Sequence, residues 1–122
     1  MSEVREPTYL ILVALADGRR HGYGIIQDVE RLSGGKTTLR AGTLYATLDR
    51  LASEGLIEGA GEEVVEGRLR RYYQLTVEGS AVLESESKQR LAVSKEALRR
   101  LGRPSGRTPR TPRTPRVAGG FA

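Results

Sequence analysis

The chain has 122 residues, of which 38% are hydrophobic, and it carries one His, no Cys and a formal net charge of +5. This length predicts one compact domain with extensions, and the lack of Cys excludes disulfides and thiolate metal sites. No apolar run approaches the ~20 residues of a membrane span and the N-terminus lacks a signal-peptide pattern, so we expect a cytoplasmic protein.

The first two predicted elements are amphipathic helices. Pro7 suits a helix start, where its missing N–H leaves no bond unmade, and apolar residues continue until Asp-Gly at 17–18 ends the helix. Residues 19–21 are predicted as a loop. A second helix follows over about 23–32, and Ser-Gly-Gly at 33–35 ends it.

A third helix is predicted over residues 42–54. Leu44, Leu48 and Leu51 recur at i, i+4 and i+7, which puts them on one face of a helix. The opposite face is small and polar. Gly55 follows at once and ends the helix, because glycine tolerates the positive φ that a helix C-terminus often requires.

Residues 56–75 are predicted to form a β-hairpin. Its second strand has a period of two, with Tyr73 and Leu75 facing the core and Tyr72 facing outward. Residues 37–39 are predicted as a short strand that pairs with this hairpin. Three helices followed by a hairpin are the order of a winged helix-turn-helix, so the predicted fold class is mainly α with a small β-hairpin.

A long C-terminal helix is predicted over residues 77–101, with Thr76 as its N-cap. Leu91, Leu98 and Leu101 are spaced by seven and three, as in the seam of a coiled coil. Residues 84–90 include no apolar side chain, so this seam is interrupted. We expect the helix to pack on the first helix of a partner chain, and the alternative is that it lies on its own domain.

The composition changes at residue 103. Residues 103–122 hold five of the 20 Lys and Arg residues and none of the 15 acidic residues, so residues 1–102 are formally neutral. Residues 107–116 repeat Arg, Thr and Pro, which excludes a helix and predicts an extended, disordered tail. Such a tail is either an electrostatic arm along DNA or a solubilising extension.

Four motifs occur in an order that points to one family. They are an apolar run before Asp-Gly at 17–18, HGYGI at 21–25, GTLYATLDRLASEGLI at 42–57 and GRLRRYYQLTVEG at 67–79. Over about residues 7–101 the chain resembles the PadR family of bacterial transcriptional regulators. The resemblance implies a homodimeric repressor of a palindromic operator, whose third helix enters the major groove of double-stranded DNA and whose hairpin reaches the flanking backbone or minor groove.

The resemblance also implies a division into three segments. We predict a winged helix-turn-helix DNA-binding domain at 1–76, a C-terminal dimerisation helix at 77–102 and the disordered basic tail at 103–122. The predicted dimer interface consists of Tyr9, Leu12, Val13, Leu91, Leu98 and Leu101. In the family, small aromatic or amphipathic effectors bind near such an interface, although these side chains equally make an ordinary core.

Ten residues are candidates for contact with DNA. They are Tyr23, Lys36, Arg40, Gly42, Thr43, Tyr45, Ala46, Arg50, Arg68 and Arg70. Small side chains at a helix N-terminus allow close approach to base edges, and the basic side chains suit phosphates. Tyr23 and Tyr45 resemble residues that lie near the DNA backbone in the family, and the alternative is that both are core aromatics. The acidic tip of the hairpin, at 62–66, is repelled by phosphate, so we expect contact only from the limb at 68–71.

Enzyme activity lacks support in the sequence. With one His and no Cys, the parts needed for metal-dependent or nucleophilic catalysis are missing, and the motifs typical of nucleotide-binding and hydrolytic enzymes are incomplete. We therefore expect no catalysis and no cofactor. The alternative to a DNA-binding regulator is a winged-helix protein-interaction module, which the neutral body and the acidic hairpin tip favour.

Overall fold

The computed structural model describes residues 4–102. Its elements are α1 (Glu6–Ala14), β1 (Arg20–His21), α2 (Gly22–Leu32), α3 (Ala41–Ser53), β2 (Ile57–Val65), β3 (Arg68–Leu75) and α4 (Val77–Arg100). The chain divides into two compact units with a boundary after Glu86. The first unit thus extends past residue 76, the limit predicted for the first domain, because the start of α4 belongs to it and Leu83 packs against its core. The predicted tail at 103–122 lies outside the described residues.

The core of the first unit is built around α1. Its buried side chains are Leu10, Ile11, Leu12, Ala14, Leu15, Ile25, Val29, Leu39, Leu44, Leu48, Leu51 and Ile57. Helix α1 is apolar on nearly all sides, which is typical of a helix that other elements surround. Leu12 is 0% exposed in this core. This finding corrects the prediction that Leu12 belongs to a dimer interface, because its side chain has no surface left for a partner.

Helices α2 and α3 form the helix-turn-helix and follow the sequence closely. The three leucines of α3 are buried as their spacing predicts. Helix α2 ends where Gly34 and Gly35 take positive φ angles of 65° and 83°, and α3 ends before Gly55, at φ 78°. Helix α3 begins at Ala41, one residue earlier than predicted, with Arg40 as its N-cap.

The third strand of the sheet is β1 and not residues 37–39, so this prediction and that of a loop at 19–21 are both wrong. Arg20 and His21 pair with Tyr73 and Tyr72 of β3. The Arg20 guanidinium donates to the carbonyl of Ala14 at 2.7 Å and thereby ties β1 to the end of α1. Residues 37–40 have no regular structure, and Leu39 is buried in the core.

The sheet has the order β1-β3-β2 and is antiparallel throughout. Strands β2 and β3 meet at Glu66 and Gly67, which have positive φ angles of 52° and 75°. Positive φ at both central residues is characteristic of a type I′ hairpin turn. Tyr73 and Leu75 pack against the core as predicted. Three helices followed by this hairpin, which we call the wing (Ile57–Leu75), confirm the predicted winged fold.

Helix α4 begins in contact with the turn that follows α3. The Thr76 hydroxyl accepts a bond from the amide of Gly79 at 2.9 Å and donates to the carbonyl of Gly55 at 2.7 Å, so Thr76 is the predicted N-cap. Gly79 allows a close approach here, since a Cβ atom would lie 1.9 Å from the Leu56 carbonyl oxygen. No helix within residues 4–102 is both long and apolar enough to cross a membrane.

Candidate nucleic-acid interface

Helix α3 buries one face and leaves the other open to solvent. Its exposed residues include Ala41, Gly42, Thr43, Tyr45, Ala46, Asp49 and Arg50. The N-cap residue Arg40 makes no side-chain bond to the first turn, and apart from the adjoining residues and backbone of α3 itself, nothing described comes within 4 Å of a Cβ position on Gly42. The start of α3 therefore combines free backbone N–H groups with small side chains, a combination that favours a phosphate or a base edge.

Arg50 lies farther along the same face but is held by its own chain. Its guanidinium donates to the Thr8 hydroxyl at 3.1 Å and lies 3.5 Å from the Glu54 carboxylate. To reach a base or a phosphate it has to leave both partners. Lys36 and Arg40 are also exposed, and neither forms an ion pair with another described residue.

The two candidate tyrosines are surface residues. Tyr23 is 64% exposed and Tyr45 is 44% exposed, so their alternative role as core aromatics does not hold. The Tyr45 ring lies against the start of α2, where a Cβ atom on Gly22 would come within 2.2 Å of the Tyr45 hydroxyl oxygen. Glycine at residue 22 therefore permits the position that the Tyr45 side chain occupies.

The wing separates its charged residues into paired and unpaired groups. Arg71 pairs with Glu62 at 3.4 Å across the two strands, and Glu63 accepts a hydrogen bond from the Tyr72 hydroxyl. Arg68 and Arg70 form no ion pair within the described part of the chain. Two of the wing acids thus have partners of their own, which leaves these two arginines free to meet an anion.

A pocket of about 380 Å³ brings part of the predicted set together. Its lining includes His21, Tyr23, Tyr45, Arg68 and Arg70. Helices α2 and α3 and strand β3 therefore surround one groove, whose lining has two tyrosines, the two unpaired arginines, the paired Arg71 and the acidic Glu66. Such a groove suits a phosphodiester strand, because hydroxyl and guanidinium groups are both common donors to phosphate.

The other predicted DNA contacts lie elsewhere on the first unit. Among the side chains that do not line the pocket are Lys36, Arg40, Gly42, Thr43, Ala46 and Arg50. They belong to the open face of α3 or to the segment just before it. The predicted set thus divides into a helix face and a groove beside it.

The electrostatics of the groove affect His21 and Tyr73. Partial burial and the nearby Arg70 guanidinium lower the pKa of His21, and Glu63 opposes them. His21 is therefore neutral at physiological pH. Burial raises the pKa of the Tyr73 phenol, and the adjacent Tyr45 adds to this effect. Among residues 4–102, no group of three or more His, Asp or Glu side chains is arranged to hold a metal ion.

Sequence reasoning missed Gly22 as a residue of this site. A signal for it exists in the motif HGYGI, since glycines at residues 22 and 24 are poor helix formers at the start of a helix. Two glycines at the start of a helix indicate that other side chains pack closely against its first turn. The structure gives the neighbours, which are the Tyr45 hydroxyl for Gly22 and the His21 ring for Gly24.

The second unit carries exposed apolar side chains on α4. Leu91, Leu98 and Leu101 are 59%, 55% and 69% exposed. Seven- and three-residue spacings put them on one side of the helix. Of the residues predicted from α1, Tyr9 and Val13 are half-buried and retain some accessible surface.

Comparison with known families and proteins gives a consistent result. The profile of the transcriptional regulator PadR-like family matches residues 11–85. Among curated proteins, the transcriptional regulator Rv3488 of Mycobacterium tuberculosis is 36% identical over 88 residues, which cover 72% of this chain and 78% of the relative.

Solved structures with the same fold include PadR-like regulators. A PadR family transcription regulator from Clostridium difficile is 28% identical with a TM-score of 0.63, and the match covers 80% of this chain and 98% of that one. PadR of Bacillus subtilis, solved in complex with operator DNA, is 26% identical with a TM-score of 0.58. That match covers 66% of this chain and 46% of the other.

Proposed function

The chain belongs to the PadR-like family of transcriptional regulators, and on this premise we propose that it is a homodimeric repressor that binds a palindromic DNA operator. The family consists of regulators and not of enzymes. The B. subtilis relative was solved bound to operator DNA, which supports DNA as the ligand of this chain.

One observation carries the proposal. At the N-terminal end of α3, no described part of the chain covers the face with small residues. The groove beside this face is lined by two unpaired arginines. In this arrangement α3 enters the major groove, with Thr43 and Ala46 at base edges. Tyr23, Tyr45, Arg68 and Arg70 contact the adjoining backbone or minor groove, and Lys36 and Arg40 contact phosphates.

The dimer is proposed from the exposed leucines of α4. An α-helix with large apolar side chains at seven- and three-residue spacing gains stability when a partner covers them. A second copy of this chain supplies such a partner, with Tyr9 and Val13 at the edge of the interface. Two copies related by twofold symmetry present two α3 helices, which matches a palindromic site with half-sites one helical turn apart.

Selection of bound sequences from a random DNA pool tests this function. The expected result is an inverted repeat whose half-sites are separated by about 10 base pairs or a multiple of that spacing. The same selection with residues 1–102 alone tests the basic tail, which as an electrostatic arm strengthens binding without changing the selected sequence. Recovery of no enriched sequence by either form would contradict the proposal.

A protein-interaction module is the second candidate function. Residues 1–102 are formally neutral, and the wing tip carries Glu62, Glu63 and Glu66, which favours a partner other than DNA. Such a module binds DNA of every sequence equally weakly. An enriched inverted repeat excludes it, and a repressor additionally reduces transcription from a promoter that contains that repeat.

A further inference from the structure

Arg19 connects all three strands of the sheet. It directly precedes β1, and its guanidinium carbon lies 4.2 Å from the ring centroid of Tyr72 in β3. Its terminal nitrogen Nη1 donates to the carbonyl of Ala60 in β2 at 2.9 Å. One exposed side chain thus stacks on the central strand and bonds to the far strand, an arrangement that suits the planar guanidinium better than the ammonium of a lysine.

The Ala60 carbonyl belongs to an irregularity in the wing. Gly59 pairs with Tyr73 and Glu62 pairs with Arg71, so Ala60 and Gly61 together lie opposite Tyr72. Two residues opposite one form a β-bulge, which bends the strand and increases its twist. Arg19 binds at this bulge, since a Cβ atom on Gly61 would lie 3.1 Å from its Nη1.

The outer part of the wing has little else to fix its direction. From Glu62 to Arg71 the structure has no buried residue, and the apolar side chains of Val64 and Leu69 are both more than half exposed. The core contacts of the wing come from Ile57, Tyr73 and Leu75 near its base. The angle at which the outer part leaves the domain therefore depends on the bulge.

The Tyr72 ring is held by two further interactions. It lies 5.5 Å from the His21 ring, centroid to centroid, at 39°, and its hydroxyl donates to Glu63. Tyr72 is thus bonded to the strand segment that follows the bulge, and Arg19 stacks on Tyr72 and bonds to the bulge itself. Strand β1 is anchored at the end of α1. Through its two contacts, Arg19 links β1 to the bulge and so fixes the direction in which the outer part of the wing extends.

We propose that Arg19 is a positioning residue for DNA binding, which fixes the bulge at Ala60–Gly61 and so holds Arg68 and Arg70 in place against the duplex. This inference rests on the proposed function, and it assigns Arg19 a role through the wing and not through contact with DNA. The contacts seen for Arg19 are the Tyr72 ring and the Ala60 carbonyl, and a phosphate contact by its remaining N–H groups is the alternative that the test below distinguishes.

The test compares Arg19→Ala, the double variant Arg68→Ala/Arg70→Ala and the triple variant in the full chain. Binding to a selected operator is measured over a range of salt concentrations, where the removal of one arginine from a phosphate lowers the slope of log K against log salt by about 0.9. We expect Arg19→Ala to lower the slope as much as the double variant, by about 1.8 per protomer, and the triple variant to lower it no further.

Two further variants separate positioning from charge. Arg19→Lys keeps the charge but lacks the planar fork, so its slope should match that of Arg19→Ala. Tyr72→Phe keeps the ring on which Arg19 stacks and loses only the bond to Glu63, so its slope should stay closer to that of the wild type than the slope of Arg19→Ala does. Two results would show that Arg19 binds phosphate and would overturn the proposal. One is a wild-type slope for Arg19→Lys, and the other is a slope for the triple variant that lies about 0.9 below that of the double variant.

Amide hydrogen exchange without DNA keeps the two proposals distinguishable. We expect Arg19→Ala to speed exchange at residues 62–70, while the amides of α1 and α3 keep the protection of the wild type. If the wild type shows no salt-dependent DNA binding, the proposed function fails, and the exchange result alone decides whether Arg19 holds the wing. Unchanged exchange in the outer wing would refute the role of Arg19 whether or not DNA binds.

Discussion

The Tyr45 hydroxyl occupies the space that a side chain on residue 22 would need, because a Cβ atom on Gly22 would lie 2.2 Å from that oxygen and 2.8 Å from the ring carbon that carries it. These atoms are the far end of a side chain and can move. The substitution Gly22→Ala therefore displaces Tyr45 without disrupting the core.

We expect Gly22→Ala to weaken DNA binding roughly 10-fold, equivalent to about 1.4 kcal/mol, with little change in melting temperature. Titration with the selected operator measures the decrease in affinity. In a Tyr45→Ala background the same substitution should have no further effect on affinity, because the side chain that it displaces is absent. Equal decreases in both backgrounds would contradict the coupling between Gly22 and Tyr45.

The substitution Gly79→Ala should destabilise the protein, although the same change in the middle of a helix usually stabilises it. Glycine to alanine within a helix ordinarily adds up to ~1 kcal/mol of stability. Here the new methyl group would meet the Leu56 carbonyl oxygen at 1.9 Å, and backbone has to move to admit it. Gly79→Ala should therefore lower the free energy of unfolding by roughly 1–3 kcal/mol, as overpacking does. Urea denaturation measures this change, and Ser80→Ala at the next, exposed residue should alter stability by less than about 0.5 kcal/mol.

His21 predicts a specific dependence of stability on pH. Its pKa is lowered in the folded state from 6.5, so below pH 6.5 the unfolded chain binds a proton more readily than the folded one. The free energy of unfolding contributed by this group therefore decreases as pH falls through 6.5 and is unaffected above that value. Wild type and His21→Gln should have parallel stabilities above pH 7 and diverge below 6.5, where only the wild type has this decrease. Parallel curves throughout would refute the assignment.

The exposed leucines of α4 predict the oligomeric state. If the proposed dimer forms through these leucines, the double substitution Leu91→Glu/Leu98→Glu introduces charge on the apolar side of the helix and should yield a monomer where the wild type is a dimer in sedimentation equilibrium. The matched control is Gln89→Glu/Ala92→Glu, which adds the same charge away from the leucines, at about 160° and 100° around the helix from Leu91. It should leave the dimer intact, and a dimer that survives both double substitutions would contradict the proposed interface.

The elements with strong periodicity were predicted well from sequence. The leucine stripe of α3 and the alternation around Tyr73 report which side of an element is buried, and the structure confirms both. Thr76 as N-cap was also predicted correctly, since capping depends on residues within one turn. These features are local, which is why a single sequence suffices to predict them.

The features that sequence missed depend on residues distant in the chain. Strand β1 has two residues, too few for any alternation to appear, and it exists because β3 and the end of α1 bind Arg20. Leu12 belongs to a helix that is apolar on nearly every side, so its pattern cannot distinguish the core from a partner surface. The neighbours of Gly22 and Arg19 come from other elements, and only the folded arrangement reveals them.

The salt dependence of DNA binding tests the central claim most directly, which is that the open face of α3 and the unpaired arginines of the wing bind a duplex. We predict that Arg68→Ala/Arg70→Ala lowers the slope of log K against log salt by about 0.9 for each arginine. Arg71→Ala serves as control, because Arg71 pairs with Glu62, and should lower the slope less. Wild-type binding that does not weaken with salt, or a slope that the double variant leaves unchanged, would contradict the account.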